Sequence, residues 1–271
     1  MDEATAFLDT LQRTAPTART ACAGWTAHDL VAHLTAGAAE MAELTEAATA
    51  GRGERATRDF ATREAPYVAM PDDQLRDRLV VEALRLNTAI EALRHTGTGV
   101  EATVPFAGRR LGPHELAMHG RSEAALHRWD LAGDDDISAE LLRQPELTAH
   151  AVEVLNTMLG ASPESVTART TAAAITGLRA DFAAPGHLDV VLVVQGGRAR
   201  LELDQPRGTP CARADPATRL LALWGRRSSV RPIQWNDATG CARSLAAFLC
   251  AVEPTTAPVA PTAMTALSEI R

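Results

Sequence analysis

Residues 25–50, WTAHDLVAHLTAGAAEMAELTEAATA, decide the fold because they predict one long helix with a defined beginning. Thr26 followed three residues later by Asp29 has the pattern of a capping box, which satisfies the first free N–H groups of a helix. The apolar pattern then continues without a proline until Gly51. A helix of this length needs neighbours that cover its apolar side.

Three further segments supply such neighbours. Apolar residues at helical spacing and local start and stop signals predict helices over residues 2–13, from about Pro71 to Gly97, and from Gly112–Pro113 to about Leu131. Four helices with short or moderate connections predict a four-helix bundle. Bundles build their binding sites from side chains that point inward from facing helices.

The stretch RSEAALHRWDL, residues 121–131, places Glu123 and His127 on one face of the last helix, since they are four residues apart. Taken alone, they also fit a surface ion pair, and His33 in the 25–50 helix also fits a hydrogen-bonded core histidine. Together, His33, Glu123 and His127 form a ligand set of two imidazoles and one carboxylate. Such a set suits Zn²⁺ or another divalent metal and leaves a coordination position open for chemistry.

His119 and Asp130 lie near the same face of that helix. Either side chain is a candidate for orienting a ligand or carrying a proton. A solvated turn residue is the alternative for His119. Five histidines receive no role because they lie at helix ends, in loops or without partners in sequence: His28, His95, His114, His150 and His187.

The pattern changes after about residue 160. Two strands around Gly196–Gly197, HLDVVLVV at 187–194 and RARLELD at 198–204, predict a β-hairpin. Helices are predicted to begin at Asp215–Pro216 and at Asn236–Asp237. Residues 162–184 fit helix or strand, and the Pro- and Thr-rich residues 254–263 predict a flexible tail. The predicted fold class is α+β: a bundle over residues 1–160, a smaller α/β domain over 161–252 and a tail over 253–271.

Composition narrows the class of protein. The net charge of −7, with no run of like charges longer than Asp134–Asp136, argues against nucleic acid as a partner. The acidic N-terminus lacks the pattern of a secretory signal, and no apolar stretch is long enough for a membrane span. The four cysteines are scattered without a C-x-x-C pattern, which favours reduced, packed thiols over disulfides or a zinc ribbon. We therefore expect a cytoplasmic protein.

The basic residues carry a second compositional signal. All 27 are arginine, and no lysine occurs in 271 residues. Both residues are good helix formers, so helix stability gives no reason to exclude lysine. Codon usage explains the absence of lysine, because lysine codons are AT-rich. The composition therefore indicates a high-GC bacterium such as an actinobacterium.

Three motifs resemble the mycothiol-dependent maleylpyruvate isomerase family, in order and over essentially the whole chain: GWTAHDLVAHLTAG at 24–37, RSEAALHRWDLAG at 121–133 and DPATRLLALWGR at 215–226. The resemblance implies a DinB-like four-helix bundle that binds a divalent metal through His33, Glu123 and His127. It also implies a smaller α/β domain that supplies an arginine to the site, at Arg226 or Arg227. The alternative for both arginines is a helix C-terminus, where arginine is favoured.

The leading functional hypothesis is a metal-dependent enzyme that activates a low-molecular-weight thiol, mycothiol, as a thiolate. The thiolate would add to, be transferred to or exchange on a small electrophile, as in an S-transferase or a thiol-dependent isomerase. Arg226 or Arg227 would hold a substrate carboxylate or developing negative charge. The alternatives are a metal-dependent hydrolase whose water His119 activates, and a regulatory bundle that binds metal or ligand without turnover. We expect a monomer or homodimer that binds no membrane.

Overall fold

The computed structural model describes residues 1–95, 102–161, 177–196, 198–236 and 241–251. The first part of the chain is helical except for one small hairpin. In order, its elements are α1 (Glu3–Gln12), α2 (Ala27–Thr49), α3 (Phe60–Val68), α4 (Asp72–Arg94), β1 (Val104–Phe106), β2 (Arg109–Leu111), α5 (Pro113–Ala132), α6 (Asp136–Leu142) and α7 (Pro145–Ala161).

Helices α1, α2, α4 and α5 form the predicted bundle. Helix α2 packs along α4, and α1 packs along α5. The capping box of α2 is present, because the Thr26 side chain accepts from the Asp29 N–H and the Asp29 carboxylate accepts from the Thr26 N–H. Buried leucines such as Leu30, Leu75 and Leu93 fill the space between the helices. Gly97, the predicted end of α4, lies outside the described residues.

Helix α3 is an element that the sequence pattern did not predict. It has nine residues, FATREAPYV, with Pro66 inside it, and Arg63 is the one buried residue it contributes. A segment this short, with a proline inside it, reads as a loop rather than a helix in sequence analysis. It begins at the cap residue Asp59, whose carboxylate accepts from the Thr62 N–H at 2.8 Å, and it packs against α2.

The second part of the chain is built on a five-stranded sheet in the order β5-β4-β3-β6-β7. Its strands are β3 (Leu178–Ala183), β4 (Asp189–Gln195), β5 (Arg198–Asp204), β6 (Ala212–Arg213) and β7 (Gln234–Trp235). The predicted hairpin is confirmed as the antiparallel pair β4–β5, in which Gln195 lies opposite Arg198. The β3–β6 pair is parallel, and the other pairs are antiparallel. Residues 162–184 fitted either helix or strand, and residues 178–183 of this segment form strand β3. Residues 162–176 lie outside the described residues.

Among the described residues of this part, two helices follow β3: α8 (Pro216–Leu223) and α9 (Ala242–Ala251). Helix α8 begins as predicted, with the Asp215 carboxylate capping its first turn. The predicted start of the last helix at Asn236–Asp237 is wrong at Asn236. There the backbone N–H donates to the Cys211 carbonyl beside β7, and the helix begins only at Ala242. The predicted tail, residues 253–271, lies outside the described residues.

The expectation of reduced cysteines is wrong for two of the four. Cys211 and Cys241 form a disulfide, with their Cα atoms 5.7 Å apart and a sequence separation of 30. The pairing was not predictable from spacing, because the sheet brings the start of β6 next to the start of α9 only in the folded chain. Cys22 is a free thiol and is buried. Cysteine usage therefore no longer supports the cytoplasmic expectation.

The helical and sheet parts share a continuous core. Leu126 and Trp129 of α5 and Leu147 of α7 belong to the same buried cluster as Phe182 of the sheet and Leu220 of α8. The division of the chain at residue 160 stays a prediction, while the α+β class and the helical N-terminal part are confirmed. No described helix is both long enough and apolar enough to cross a membrane.

Candidate metal centre

Helices α2 and α5 bring the three predicted ligands together. His33 Nε2 lies 3.5 Å from Glu123 Oε2, and His127 Nε2 lies 3.4 Å from the same oxygen. One ligand atom from each of the three residues lies within 4.8 Å of the others. The two imidazole rings meet edge to face, with their centroids 5.4 Å apart. Residues from two motifs that are distant in sequence therefore lie together in the fold.

A second carboxylate stands behind each imidazole. His33 Nδ1 donates to Glu64 Oε1 at 2.7 Å, and His127 Nδ1 donates to Asp130 Oδ2 at 2.8 Å. Because Nδ1 of each ring donates to the carboxylate behind it, Nε2 is the nitrogen that faces Glu123 and that a cation would bind. Carboxylate–histidine pairs of this kind orient the imidazole ligands of protein metal sites. The donor set therefore fits a divalent cation with two nitrogens and one oxygen from the protein.

The electrostatics of the three side chains reflect this closeness. Burial alone would raise the pKa of Glu123, but the neighbouring His127 and His33 hold it well below the usual value. Burial alone would lower the pKa of His127, but hydrogen bonds with Asp130, Cys22 and Glu123 raise it well above the usual value. In the absence of a cation, the carboxylate and the imidazoles thus compensate one another. A divalent cation would take the place of the His127 proton as the positive charge beside the Glu123 carboxylate.

Asp130 connects this centre to the second part of the chain. Its two carboxylate oxygens accept from Arg226 Nε at 2.8 Å and Nη2 at 2.6 Å, and the Cys22 thiol donates to it at 3.2 Å. Burial would raise the pKa of Asp130, but Arg226 and His127 hold it far below the usual value. Arg226 is therefore the arginine that points inward. Arg227 is exposed, and its guanidinium donates to the Arg226 carbonyl.

His119 is not a solvated turn residue. Its Nδ1 lies 3.2 Å from His150 Nε2, and its ring packs edge to face on Phe106 at 5.3 Å. Burial lowers the pKa of His119, and burial together with His119 lowers the pKa of His150 to about 3. Both imidazoles are therefore neutral near pH 7. His119 lies one turn along α5 from Glu123, and His150 lies on α7.

Aromatic rings form a wall beside His33. Its ring lies 5.1 Å from the Trp25 ring and 5.8 Å from the Phe60 ring, with Phe60 stacked on it. Arg63 lies over the outer face of Phe60, 4.3 Å from the ring centroid. Rings of this kind limit the water that reaches the imidazole. A groove of about 760 Å³ on another part of the surface, between Arg143 and His187, contains none of these residues.

Sequence reasoning missed five residues around the centre: Cys22, Phe60, Arg63, Glu64 and His150. Three of them lie on α3, the helix that the sequence analysis did not predict. Cys22 lies in the loop before α2, and His150 lies on α7, where neither has a partner nearby in sequence. The one sequence signal for the surroundings of the centre was Trp25, which belongs to the GWTAHDLVAHLTAG motif and whose ring contacts that of His33.

Comparison with known proteins finds one matching family model and two similar solved structures. Residues 1–132 match the family model of the mycothiol maleylpyruvate isomerase N-terminal domain. Two solved structures, of the mycothiol-dependent maleylpyruvate isomerase and of a histidine-to-alanine variant of it, resemble this chain with TM-scores of 0.52 and 0.53. Each is 16% identical and covers 86% of this chain and 88% of its own. No curated protein matches the sequence significantly.

The family and both structural relatives are enzymes. The N-terminal part of the chain, residues 1–132, is therefore similar to the mycothiol maleylpyruvate isomerase N-terminal domain, and the chain has the overall fold of the two solved isomerases.

Proposed function

We propose that this chain is a metal-dependent enzyme that presents an activated low-molecular-weight thiol to a small electrophile. One observation carries the proposal: two imidazole nitrogens aim at one carboxylate oxygen, and each imidazole is held from behind by another carboxylate. A surface ion pair needs no such second layer. A site that must present lone pairs to a cation does.

His33, Glu123 and His127 would hold the cation. When bound, a divalent cation lowers the pKa of a thiol that reaches it and so supplies a thiolate at neutral pH. Glu64 and Asp130 keep the two imidazoles in the tautomer that a metal requires. We propose Zn²⁺ as the cation because two imidazole nitrogens and one carboxylate oxygen are a donor set that binds Zn²⁺ well.

We assign the inward-pointing Arg226 a positioning role. Its Nε and Nη2 are both taken by Asp130, and its Nη1 is 3.4 Å from the Trp224 carbonyl. Arg226 thus fixes Asp130, which in turn fixes His127. Binding a substrate carboxylate through Arg226 would require breaking this buried pair, which is costly. His119, neutral and one helical turn from Glu123, is the candidate for accepting a proton.

The thiol that we propose is mycothiol, because both structural relatives are described as mycothiol-dependent. The lysine-free composition, which indicates an actinobacterial source, supports the same choice. Isomerisation requires the thiol to leave again, whereas transfer keeps it on the product, and both need the same activated sulfur. Maleylpyruvate is the first electrophile to test.

The proposal is tested by metal content and thiol use in matched variants. Wild type and His95→Ala, a change at an exposed histidine outside the centre, should carry about one divalent metal per chain. His33→Ala, His127→Ala and Glu123→Gln should each lose the metal and the mycothiol-dependent conversion of maleylpyruvate together. Elemental analysis and a product assay measure both.

Four outcomes decide between the hypotheses. A wild-type protein that takes up no metal, even in excess zinc, would contradict the proposal. Full metal content in all three triad variants would show that these residues are not the ligands. Metal-dependent ester or amide hydrolysis without thiol use would favour the hydrolase. Metal binding without any turnover would favour the regulatory bundle.

A further inference from the structure

Arg63 is a buried cation without an anionic partner. Its side chain lies on α3 and is 92% buried, since 8% of the residue is exposed. Nε is fully enclosed and has no hydrogen-bond partner, and among the described residues no carboxylate lies within 4.0 Å of the guanidinium. An unpaired buried charge is costly, so proteins rarely keep one without a use.

The other buried arginines near the core show the contrast. Arg128 donates to the Asp135 carboxylate and to Ser138, and Arg226 is paired with Asp130. Arg219, which is even more buried, donates to the backbone carbonyls of Phe182 and Leu188. Each of these guanidinium groups has oxygen acceptors. Arg63 has instead the face of Phe60 at 4.3 Å and the more distant ring of Phe106 at 6.0 Å.

Its position ties Arg63 to the candidate metal centre. Phe60 contacts both groups, because its ring stacks against His33 with the centroids 5.8 Å apart and the Arg63 guanidinium lies over it at 4.3 Å. The next residue, Glu64, accepts the hydrogen bond from His33. Burial lowers the pKa of Arg63, while the more distant charges of Glu64 and Glu123 act in the opposite direction. The guanidinium is thus a cation one ring away from the metal ligands.

We propose that Arg63 is the residue that binds a carboxylate, or an equivalent planar oxyanion, of the molecule that reacts at this centre. Guanidinium recognises such groups through two parallel hydrogen bonds, and the burial of Arg63 limits competition from water. Arg63 takes the role that the sequence suggested for Arg226, whose guanidinium is already paired. The inference rests on the proposed function, and the anion belongs either to the electrophile or to the thiol.

The first experiment measures anion binding without turnover. Succinate and its neutral analogue succinamide are titrated into the purified, metal-loaded protein at constant ionic strength, and the shift in melting temperature gives the affinity. Wild type should prefer succinate, and Arg63→Gln should weaken succinate binding about ten- to a hundredfold, as expected for the loss of a charge-assisted pair. Arg63→Lys should fall between them. Arg143→Gln, at an exposed arginine paired with Glu140, is the matched control.

The second experiment distinguishes the two sources of the anion. N-acetylcysteine and N-acetylcysteine amide are compared as thiols under the same conditions. If the anion belongs to the thiol, Arg63→Gln should erase a preference for N-acetylcysteine over its amide. If it belongs to the electrophile, the variant should erase only the preference for succinate over succinamide.

Three results would overturn the inference. The first is that wild type binds the charged and the neutral member of both probe pairs with equal affinity. The second is that Arg63→Gln keeps the wild-type preferences. The third is that ligand-free Arg63→Gln melts at a temperature lowered well beyond that of Arg143→Gln, which would show a structural role. If Arg63→Gln fails to fold, the wild-type preference and Arg63→Lys still decide. Normal metal content and thiol use with any of these results would reject this inference alone, whereas loss of metal from wild type would reject the proposed function.

Discussion

At the scale of single residues, each histidine of the candidate centre uses its two ring nitrogens for different purposes. Nδ1 donates to a carboxylate, and Nε2 faces the shared oxygen of Glu123. The identity of the residue behind the imidazole therefore matters as much as the imidazole. His33 has Glu64 behind it, from a different helix, while His127 has Asp130 three residues along its own helix.

A prediction follows for Glu64. Glu64→Gln should weaken metal affinity about 10- to 100-fold, because the amide no longer holds the His33 ring with a charged acceptor. The fold should persist, since the side chain lies at the edge of the centre. Competition with a chromogenic chelator measures the affinity, and Glu91→Gln, at an exposed residue of α4, is the control. Equal affinities in the two variants would show that Glu64 has no orienting role.

At the scale of elements, α3 depends on a buried carboxylate in α2. Glu40 has no exposed side-chain surface, and it accepts from Arg58 Nε at 2.7 Å, from the Arg58 backbone N–H at 2.9 Å and from Arg55 Nη2 at 3.0 Å. These bonds fix the segment that leads into α3. Helix α3 in turn supplies Phe60, Arg63 and Glu64 to the centre. The hydrogen bonds from Arg55 and Arg58 to Glu40 therefore position this helix; we call them the Glu40 anchor.

The anchor predicts how stability depends on acid. Burial would raise the pKa of Glu40, but Arg55 and Arg58 lower it from 4.5 to about 2. Because the folded-state pKa is depressed, the stabilisation is complete above about pH 4.5 and is lost as the pH falls toward 2. Glu40→Gln should lower the free energy of unfolding by about 1–3 kcal/mol at pH 7, and the difference from wild type should shrink below pH 4.5.

Urea unfolding at several pH values measures this difference. Glu43→Gln is the matched control, since Glu43 pairs with the same two arginines but is more than one third exposed. Its effect should be about 0–1 kcal/mol. A Glu40→Gln protein whose deficit stays constant from pH 7 to pH 2 would contradict the assigned cause.

At the scale of the whole molecule, the ion pair between Asp130 and Arg226 joins the bundle to the segment after α8, across 96 residues of sequence. Asp130 has no exposed side-chain surface, and Arg226 is 10% exposed. The same carboxylate binds His127 and the Cys22 thiol. Docking of the sheet part and order in the candidate centre are therefore coupled through one side chain.

The coupling is measurable by a double-mutant cycle. Arg226→Met should cost about 3–5 kcal/mol of unfolding free energy, because it leaves Asp130 as an unpaired buried charge. Asp130→Asn in the same background should recover part of that loss. Arg207→Met, at an exposed arginine paired with Asp204, should cost about 0–1 kcal/mol. Additive effects of the Arg226 and Asp130 changes would contradict the coupling.

The sequence by itself determined the elements whose signals are local and repeated. The capping box at Thr26, the start of α5 at Gly112–Pro113 and the β4–β5 hairpin all follow from short-range backbone chemistry and periodic burial. The pair Glu123 and His127 also belongs to this group, because one helical turn sets their separation. The expectation that a bundle places the two helices face to face brought His33 into the same hypothesis, and the resemblance to a known family named the same three residues.

Tertiary structure alone decided the features that depend on contacts between distant segments. It chose Arg226 over Arg227, paired Cys211 with Cys241, and placed His150 against His119. It also formed α3, a nine-residue helix with an internal proline whose position depends on the buried charge of Glu40. The physical reason is that a buried charge or thiol is stabilised by whichever group the folded chain brings within about 3 Å, and spacing along the sequence carries no record of that partner.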